Sequence, residues 1–375
     1  MAAERPYRLL ISGGGTGGHV FPAIAIASEF RSRFPDAEIL FVGALGKMEM
    51  TRVPAAGFRI IGLWISGLQR SLSLSNLLFP VKLLVSYLRA IGIVRSFRPH
   101  VVVGTGGYAS GPVMLAALRA KLPALIQEQN SFAGLTNKRL ASGVHSVCVA
   151  FEGMERYFPA DRIRITGNPV RQDIRRGSIA AAEARRGAGL DAERLTLLVL
   201  GGSLGARTIN ETVLAGLSRL VEAGIQIWWQ TGRFYFDDVK RRLNASSSRH
   251  VRLVPFIDDM NAAYHAADLV VSRAGALSIA ELAVAGKPAI LVPSPNVAED
   301  HQTRNAEALL KQDAAVLIGD AQAGSQLVAA VIALAADVKR RNSLSLNISA
   351  LARPDATSEI VDEVVRLLNQ NRKAL

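Results

Sequence analysis

At 375 residues the chain is too long for one typical core and suits two domains. Hydrophobic residues make up 49% and charged residues 20%, which is globular, and a net charge of +13 favours anionic partners: nucleic acid, anionic lipid or phosphorylated substrates. The single cysteine excludes a disulfide framework within the chain, and aromatics at 6% come with no zinc-finger spacing and no RNA-recognition signature, so charge alone speaks for nucleic acid.

The chain is expected to enter its first strand at once, with no secretory signal ahead of it. Leu9-Leu10-Ile11 runs into Ser12-Gly13-Gly14-Gly15-Thr16-Gly17-Gly18-His19, and a helix is predicted to start near Pro22, since proline suits a first helical turn. Glycines admit positive φ and close backbone approach. Unpaired N–H groups and the helix dipole then favour an anionic or polar ligand in the turn. Gly13, Gly15 and Gly18 also have dinucleotide spacing, but the next strand, Glu38–Val42, ends in Gly43 rather than in the acidic residue that would hold a ribose. A bare tight turn, a dinucleotide and another anionic or sugar ligand are the readings open at this point.

Strands are predicted at Phe58–Leu63, His100–Val103, Pro123–Ile126 and Val144–Val149, alternating with helical patterns, which is the signature of a parallel sheet covered on both faces. Cys148 in the last of these reads as a small buried side chain. Leu77 to Val94 is the best candidate membrane span, and Pro80, Lys82 and Arg89 interrupt it. Around it, Leu74, Leu77, Leu78, Phe79 and Val81 sit beside Arg70, Lys82, Arg89, Arg95 and Arg98. Apolar residues among cations suit a surface that dips into a lipid headgroup layer; a core helix with a solvated basic face is the other reading. A second glycine loop, Gly104-Thr105-Gly106-Gly107-Tyr108, follows the strand at 100–103, and Gln127-Glu128-Gln129-Asn130 follows the strand at 123–126. Ligands of open parallel sheets bind beyond the carboxyl ends of strands, so these three loops are expected to line one rim.

Gly167-Asn168-Pro169-Val170-Arg171 reads as a linker. After it, Leu195–Leu200 and Gly201-Gly202-Ser203-Leu204-Gly205-Ala206 repeat the opening design of strand, glycine turn and helix. Further strands are predicted at Ile225–Gln230, Val251–Val254, Leu269–Val271, Ala289–Val292 and Ala315–Ile318. The expected domains are therefore 1–168 and 169–353, two doubly wound α/β units facing a cleft. A last helix, Ala356 to Asn369, carries an ionic ladder that reads as surface; the closing stretch 354–375 is expected to pack back on the first domain, though periodicity does not show this. On the second rim, Gly275 and Ala276 leave room for phosphate at a helix start, and Glu281 further along could accept both hydroxyls of a ribose or could be a solvated helix residue. A polar loop, Pro293 to Asn305, holds Glu299, Asp300, His301, Gln302 and Asn305.

With these residues in view the chain resembles the MurG family, the peptidoglycan glycosyltransferases that convert lipid I to lipid II. The resemblance rests on Gly13–Pro22, Gly106–Pro112, Glu128-Gln129-Asn130, Gly134–Lys138, Gly167–Arg171, Gly201–Arg207, Phe256–Met260 and Arg273–Leu277, in register from about residue 7 to 305. Two positions depart from the pattern: Gln127 stands where histidine often precedes Glu-Gln-Asn, and His301 precedes Gln302 where some relatives carry a second glutamine. The resemblance implies a GT-B glycosyltransferase fold of two Rossmann-like domains. It implies β1→4 transfer of N-acetylglucosamine, with inversion, from UDP-GlcNAc to the 4-hydroxyl of the N-acetylmuramoyl unit of lipid I. It further implies action at the cytoplasmic face of the bacterial plasma (inner) membrane as a peripheral protein, with roles in cell-wall synthesis, cell shape and division and contact with other cell-wall synthesis proteins. No tightly bound cofactor, no metal site and no nucleic-acid partner are expected, a divalent cation at most stimulating the reaction.

Residue by residue, the resemblance puts Arg171 and Ser203 at the diphosphate and the Ile257 backbone at the uracil edge. Ala276, Leu277, Ser278, Ile279 and Ala280 would run along the phosphates, Glu281 take the ribose diol, and Gln302 with Asn305 hold the sugar. Thr16, Gly17, Gly18 and Asn130 would close over the donor, and the Gly104–Tyr108 loop would serve the acceptor diphosphate. Inversion needs a base on the acceptor hydroxyl: His19 is the first candidate and Glu128 the second. A membrane-embedded acceptor also favours the membrane reading of Leu74, Leu77, Leu78, Phe79, Lys82 and Arg89. The alternatives are another UDP-sugar GT-B transferase with a different acceptor, and a nonenzymatic membrane-docking or nucleotide-sensing protein on a decayed transferase fold.

Overall fold

The computed structural model describes residues 6–67, 78–170, 174, 179–202, 204–243, 248–297 and 300–374. Arg171, Ser203, Leu74 and Leu77 lie outside the described residues. The chain divides into two units, one made of Met1–Val170 with Asp355–Leu375 and the other of Arg171–Pro354.

The first unit is built on seven parallel strands: β1 (Arg8–Gly13), β2 (Glu38–Ala44), β3 (Arg59–Leu63), β4 (Val101–Gly106), β5 (Ala124–Glu128), β6 (Ser146–Val149) and β7 (Ile163–Ile165), in the order β3-β2-β1-β4-β5-β6-β7. Strand order therefore reverses between β1 and β4, and at such a switch point the loops leaving the two strands splay apart and leave a crevice. Side chains alternate across the sheet. Leu9 and Ile11 face the helix Gly17–Arg33 through Val20, Ile26 and Phe30, while Leu10 faces the opposite layer with Val42, Val102, Val113 and Met114. Cys148 packs in the first of these layers, and burial pushes its thiol up from the ordinary range.

Two expectations need correction. The first helix begins at Gly17, not near Pro22, and Pro22 lies inside it. Thr16, in extended backbone, closes the first turn by accepting from the N–H groups of His19 and Val20. Pro22 has no N–H to donate, so the Gly18 carbonyl lacks its regular donor four residues on. The strand β7, Ile163–Ile165, was not expected; it is a short, exposed edge strand whose Arg-Ile alternation offers no buried face to read.

The closing helix spans Ala356–Ala374 and belongs to the first unit. Its ionic face is only half of it: Ile360, Val361, Val364, Leu367 and Leu368 form a buried stripe against Leu9, Ile11 and the helix Gly17–Arg33. Glu363 accepts from Ser146 of β6 and from Arg366, with Arg164 of β7 at 3.8 Å. Burial alone would raise that carboxyl, but the hydrogen bonds from Arg366 and Ser146 and the nearby guanidinium charges outweigh it and hold it below the ordinary range.

The second unit repeats the plan with six parallel strands: β8 (Thr196–Leu200), β9 (Gln226–Gln230), β10 (Val251–Val254), β11 (Leu269–Ser272), β12 (Ala289–Leu291) and β13 (Val316–Leu317), in the order β10-β9-β8-β11-β12-β13. Its switch point lies between β8 and β11. Leu197 to Val199 and Leu269 to Val271 are wholly buried, as unbroken apolar runs must be when both faces of a sheet are covered. Among the described residues no single helix is long and apolar enough to cross a membrane.

Candidate active site

In the first unit the loops after β1 and β4 flank the switch point and pack on each other as one body. A methyl group on Gly107 would sit 2.1 Å from the Gly14 carbonyl oxygen, and one on Gly13 would sit 1.9 Å from Thr105 Oγ1. Gly106, at φ +95, carries the β4 loop beneath the His19 ring, where a side chain would meet Cε1 and Nδ1 at 2.9 Å. No residue but glycine combines that backbone with that clearance. The half-buried His19 is then held from two sides. Thr105 Oγ1 donates to its carbonyl oxygen at 2.8 Å, and its Nδ1 lies 2.9 Å from the Thr105 carbonyl and 3.0 Å from Gln129 Oε1.

The N–H groups of the first glycine loop do not all await a ligand, as the sequence had suggested. Gly14 N–H donates to the Gly106 carbonyl at 3.3 Å, and Gly15 N–H meets the two Glu49 carboxylate oxygens at 3.2 and 3.0 Å. Glu49 is 0% exposed and also accepts from Ala44 N–H at 2.9 Å. A buried carboxylate requires donors, and the loop supplies them. Further along the loop Thr16 and Gly18 are exposed and Gly17 is half-buried. Tyr108, 47% exposed, stands beside Gly15 as the open side chain of the β4 loop.

Glu128 has a different duty from the one expected of a base. It is buried, and its carboxylate accepts from Asn130 N–H at 3.1 Å, Asn130 Nδ2 at 3.4 Å, Gly134 N–H at 3.0 Å and Asn137 Nδ2 at 2.9 Å. It clamps the loop that follows β5 and fixes Asn130 within it. Its two carboxylate oxygens are occupied by these four donors.

In the second unit, the β8 loop and the loop Thr231–Gly232 after β9 approach backbone to backbone: a side chain at Gly232 would sit 2.2 Å from Gly205 N. The helix Ala276–Ala285 starts directly after β11 with Gly275 as its cap and no side chain closing its first turn. A helix N-terminus at a switch point is suited to a diphosphate. Arg273, just before it, donates to the carbonyls of Val292 and Pro293 at 3.0 Å each and pairs with Asp320, so it braces the loop. Glu281 is half-buried and accepts from Tyr264 Oη at 3.1 Å, which fixes one side of its carboxylate. Gln302 accepts from Ser294 N–H at 2.9 Å; the buried Asn305 holds the Ala274 carbonyl at 3.4 Å. Both tie the polar loop to the rim. The Ile257 N–H donates to Gln230 Oε1 at 3.0 Å, a contact no local signal announced.

The basic segment is the helix Phe79–Phe97. Ser86, Ala90, Ile93 and Val94 face the core, and the opposite face exposes Leu78, Val81, Leu84, Val85 and Leu88. Phe79 is half-buried, and Lys82 donates to Ser66 Oγ at 3.1 Å and lies over the exposed Trp64 ring. Arg89 is exposed. The apolar face thus runs further along the helix than the expected residues; Leu84 and Leu88, 59% and 58% exposed, were missed.

Residues 9–149 match the glycosyltransferase family 28 N-terminal domain, and residues 196–360 match the family 28 C-terminal domain. A Cytophaga hutchinsonii protein named UDP-N-acetylglucosamine–N-acetylmuramyl-(pentapeptide) pyrophosphoryl-undecaprenol N-acetylglucosamine transferase is 53% identical over 100% of both chains. The crystal structure of Acinetobacter baumannii MurG superposes with a TM-score of 0.78 at 29% identity, covering 96% of this chain and 100% of that one. The calicheamicin glycosyltransferase CalG4 shares the fold, with a TM-score of 0.67 at 17% identity over 98% of this chain and 99% of its own. The chain belongs to glycosyltransferase family 28, among the MurG enzymes of GT-B fold that transfer N-acetylglucosamine from UDP-GlcNAc to lipid I.

Proposed function

We propose that His19 is the general base of this transfer and that the second unit's rim holds the donor. The observation that carries the assignment is the His19 cradle, in which two glycine loops and Thr105 shape the backbone around one imidazole. His19 takes the proton of the acceptor 4-hydroxyl as that oxygen attacks the anomeric carbon from the face opposite UDP, giving the β1→4 linkage with inversion. Charge developing on the leaving diphosphate meets the N–H groups at the start of the helix Ala276–Ala285 together with Arg171 and Ser203. Glu281 accepts from the ribose diol, and Gln302 and Asn305 hold the sugar. The Ile257 backbone reads uracil through its carbonyl, and through its N–H once Gln230 yields that donor. A divalent cation acts as a stimulating ion rather than a resident one. The Gly104–Tyr108 loop serves the acceptor diphosphate, and Thr16, Gly17, Gly18 and Asn130 close over the donor. The exposed apolar face of the helix Phe79–Phe97, with its cations, rests on the anionic cytoplasmic face of the plasma membrane, where lipid I is presented.

The test is transfer of labelled N-acetylglucosamine from UDP-GlcNAc to a lipid I analogue, with UDP-glucose as the control donor. Labelled lipid from UDP-GlcNAc alone is expected, and His19→Ala should lower kcat by about a hundredfold or more. Near-normal turnover by His19→Ala at saturating substrates would remove it as the base. Donor binding without transfer to lipid I would point to a different acceptor.

A further inference from the structure

Behind His19 lies a chain of three buried amides. Gln127, Gln129 and Asn168 are 0%, 1% and 4% exposed. Asn168 Nδ2 donates to the Gln129 backbone carbonyl at 2.9 Å, and Gln127 Nε2 donates to Asn168 Oδ1 at 2.9 Å. Gln129 Nε2 donates to Gln127 Oε1 and, at 2.8 Å, to the Thr105 carbonyl. Gln129 Oε1 lies 3.0 Å from His19 Nδ1. We propose that Asn168, Gln127 and Gln129 are positioning residues that hold His19 in the tautomer with its proton on Nδ1, so that Nε2 carries the lone pair that receives the acceptor proton. The proposal rests on His19 being the base.

The direction of every bond is forced. A backbone carbonyl only accepts, so the Asn168 atom facing the Gln129 carbonyl must be nitrogen, and Oδ1 points the other way. An oxygen there requires the Gln127 nitrogen, which turns Gln127 Oε1 toward Gln129. That oxygen requires the Gln129 nitrogen, and Gln129 Oε1 is left facing the imidazole. Turning the Gln129 amide over would set its oxygen against the Thr105 carbonyl and Gln127 Oε1, three acceptors with no hydrogen among them. At the end of the chain His19 Nδ1 faces two acceptors, Gln129 Oε1 and the Thr105 carbonyl, so it must bring the hydrogen. In a neutral imidazole the hydrogen bond at one ring nitrogen decides which nitrogen is left basic.

This arrangement has a consequence for turnover. Neutral His19 with a hydrogen on Nδ1 and the imidazolium formed after proton uptake at Nε2 both donate from Nδ1. The amide chain fits the two states equally, and no buried amide has to turn as the proton moves. Asn168 also stands two residues before Val170, where the chain leaves the first unit, so the chain of amides reaches to the end of that unit's first segment.

The experiment uses the full chain with 15N-labelled histidine, the His19 signals being identified by their loss in His19→Gln. A pyrrole-type Nδ1 and a pyridine-type Nε2 are expected at high pH. Gln129→Leu and Gln127→Leu should each lower kcat about tenfold, the size of one hydrogen bond, with KM for UDP-GlcNAc unchanged and the His19 spectrum moved toward a mixture of tautomers. Gln129→Met fills a similar volume and takes the place of Gln129→Leu should the latter not fold. A pyridine-type Nδ1 in the unmutated protein overturns the proposal, as do folded Gln127 and Gln129 variants with unchanged kcat and unchanged His19 signals. The spectrum judges the amide chain apart from catalysis: full turnover by His19→Ala overturns the base reading even where Nδ1 carries the proton.

Discussion

A carboxylate closed off from water must find its donors inside the protein, and Glu49 finds them in Gly15 and Ala44. Its carboxylate fills the space that a side chain at Gly14 would occupy and its stem the space at Gly43, so it wedges the first glycine loop against the end of β2. Glu49→Ala removes the wedge and strands the buried Ala44 N–H and the half-buried Gly15 N–H, and should lower stability by about 2–4 kcal/mol. Glu49→Gln keeps the shape and one acceptor oxygen, and should cost about half as much. Urea unfolding of both variants, read beside transfer activity, checks this; equal midpoints for Glu49→Ala and the unmutated chain would remove the carboxylate from its role. The example also shows what a sequence withholds. The glycines marked where the rim loops are, because an unusual backbone demands an unusual residue. What those loops' N–H groups hold was not legible, since Glu49 lies 34 residues from Gly15 and its spacing from the loop encodes nothing. The same is true of Gln230 against Ile257 N–H, 27 residues apart.

At the scale of elements, periodicity did better. The central strands were legible because both faces of each are covered, which leaves an unbroken apolar run whose position is plain and whose ends drift by a residue or two. The helix Phe79–Phe97 was legible as basic and amphipathic, but which of its apolar residues face outward depends on where the helix Ser110–Arg119 packs, a tertiary fact. Packing there takes Ala90, Ile93 and Val94 and leaves Val81, Leu84, Val85 and Leu88 on the other side. If that side enters the headgroup layer, Leu84→Ser with Leu88→Ser should weaken cosedimentation with phosphatidylglycerol vesicles by about tenfold or more, since each leucine contributes about 1.5–3 kcal/mol when fully buried. Both side chains are largely exposed, so folding and transfer to a water-soluble acceptor should be unaffected. Unaltered recovery in the vesicle pellet would end the membrane assignment of this face.

On the scale of the whole molecule the chain leaves its first unit after Val170 and returns to it at Asp355, so the last residues complete the first core and not the second. The expected boundaries at 168/169 and 353/354 fall beside these positions, because the Gly-Asn-Pro run and Pro354 punctuate the chain there. The closing helix supplies Ile360, Val361, Val364, Leu367 and Leu368 to the layer that covers β1. Removing five such side chains forfeits on the order of 10 kcal/mol as an upper estimate, which is comparable to the entire stability of a domain. A chain ended at Pro354 should therefore lose the ordered first unit, and transfer with it, while the second unit, whose residues are all retained, still binds UDP-GlcNAc. Acid should loosen the same helix in the intact protein by a weaker route. The folded Glu363 carboxyl lies below its ordinary value of 4.5, so its contribution is complete above that value and is lost as the pH falls through the lower, folded one. Calorimetric titration with UDP-GlcNAc and hydrogen exchange on the truncated chain decide the matter together: exchange should reach the β1 and β4 amides while those of β8 and β11 stay protected. Retained lipid I turnover in the truncated chain would show that the closing helix is dispensable to the core it covers.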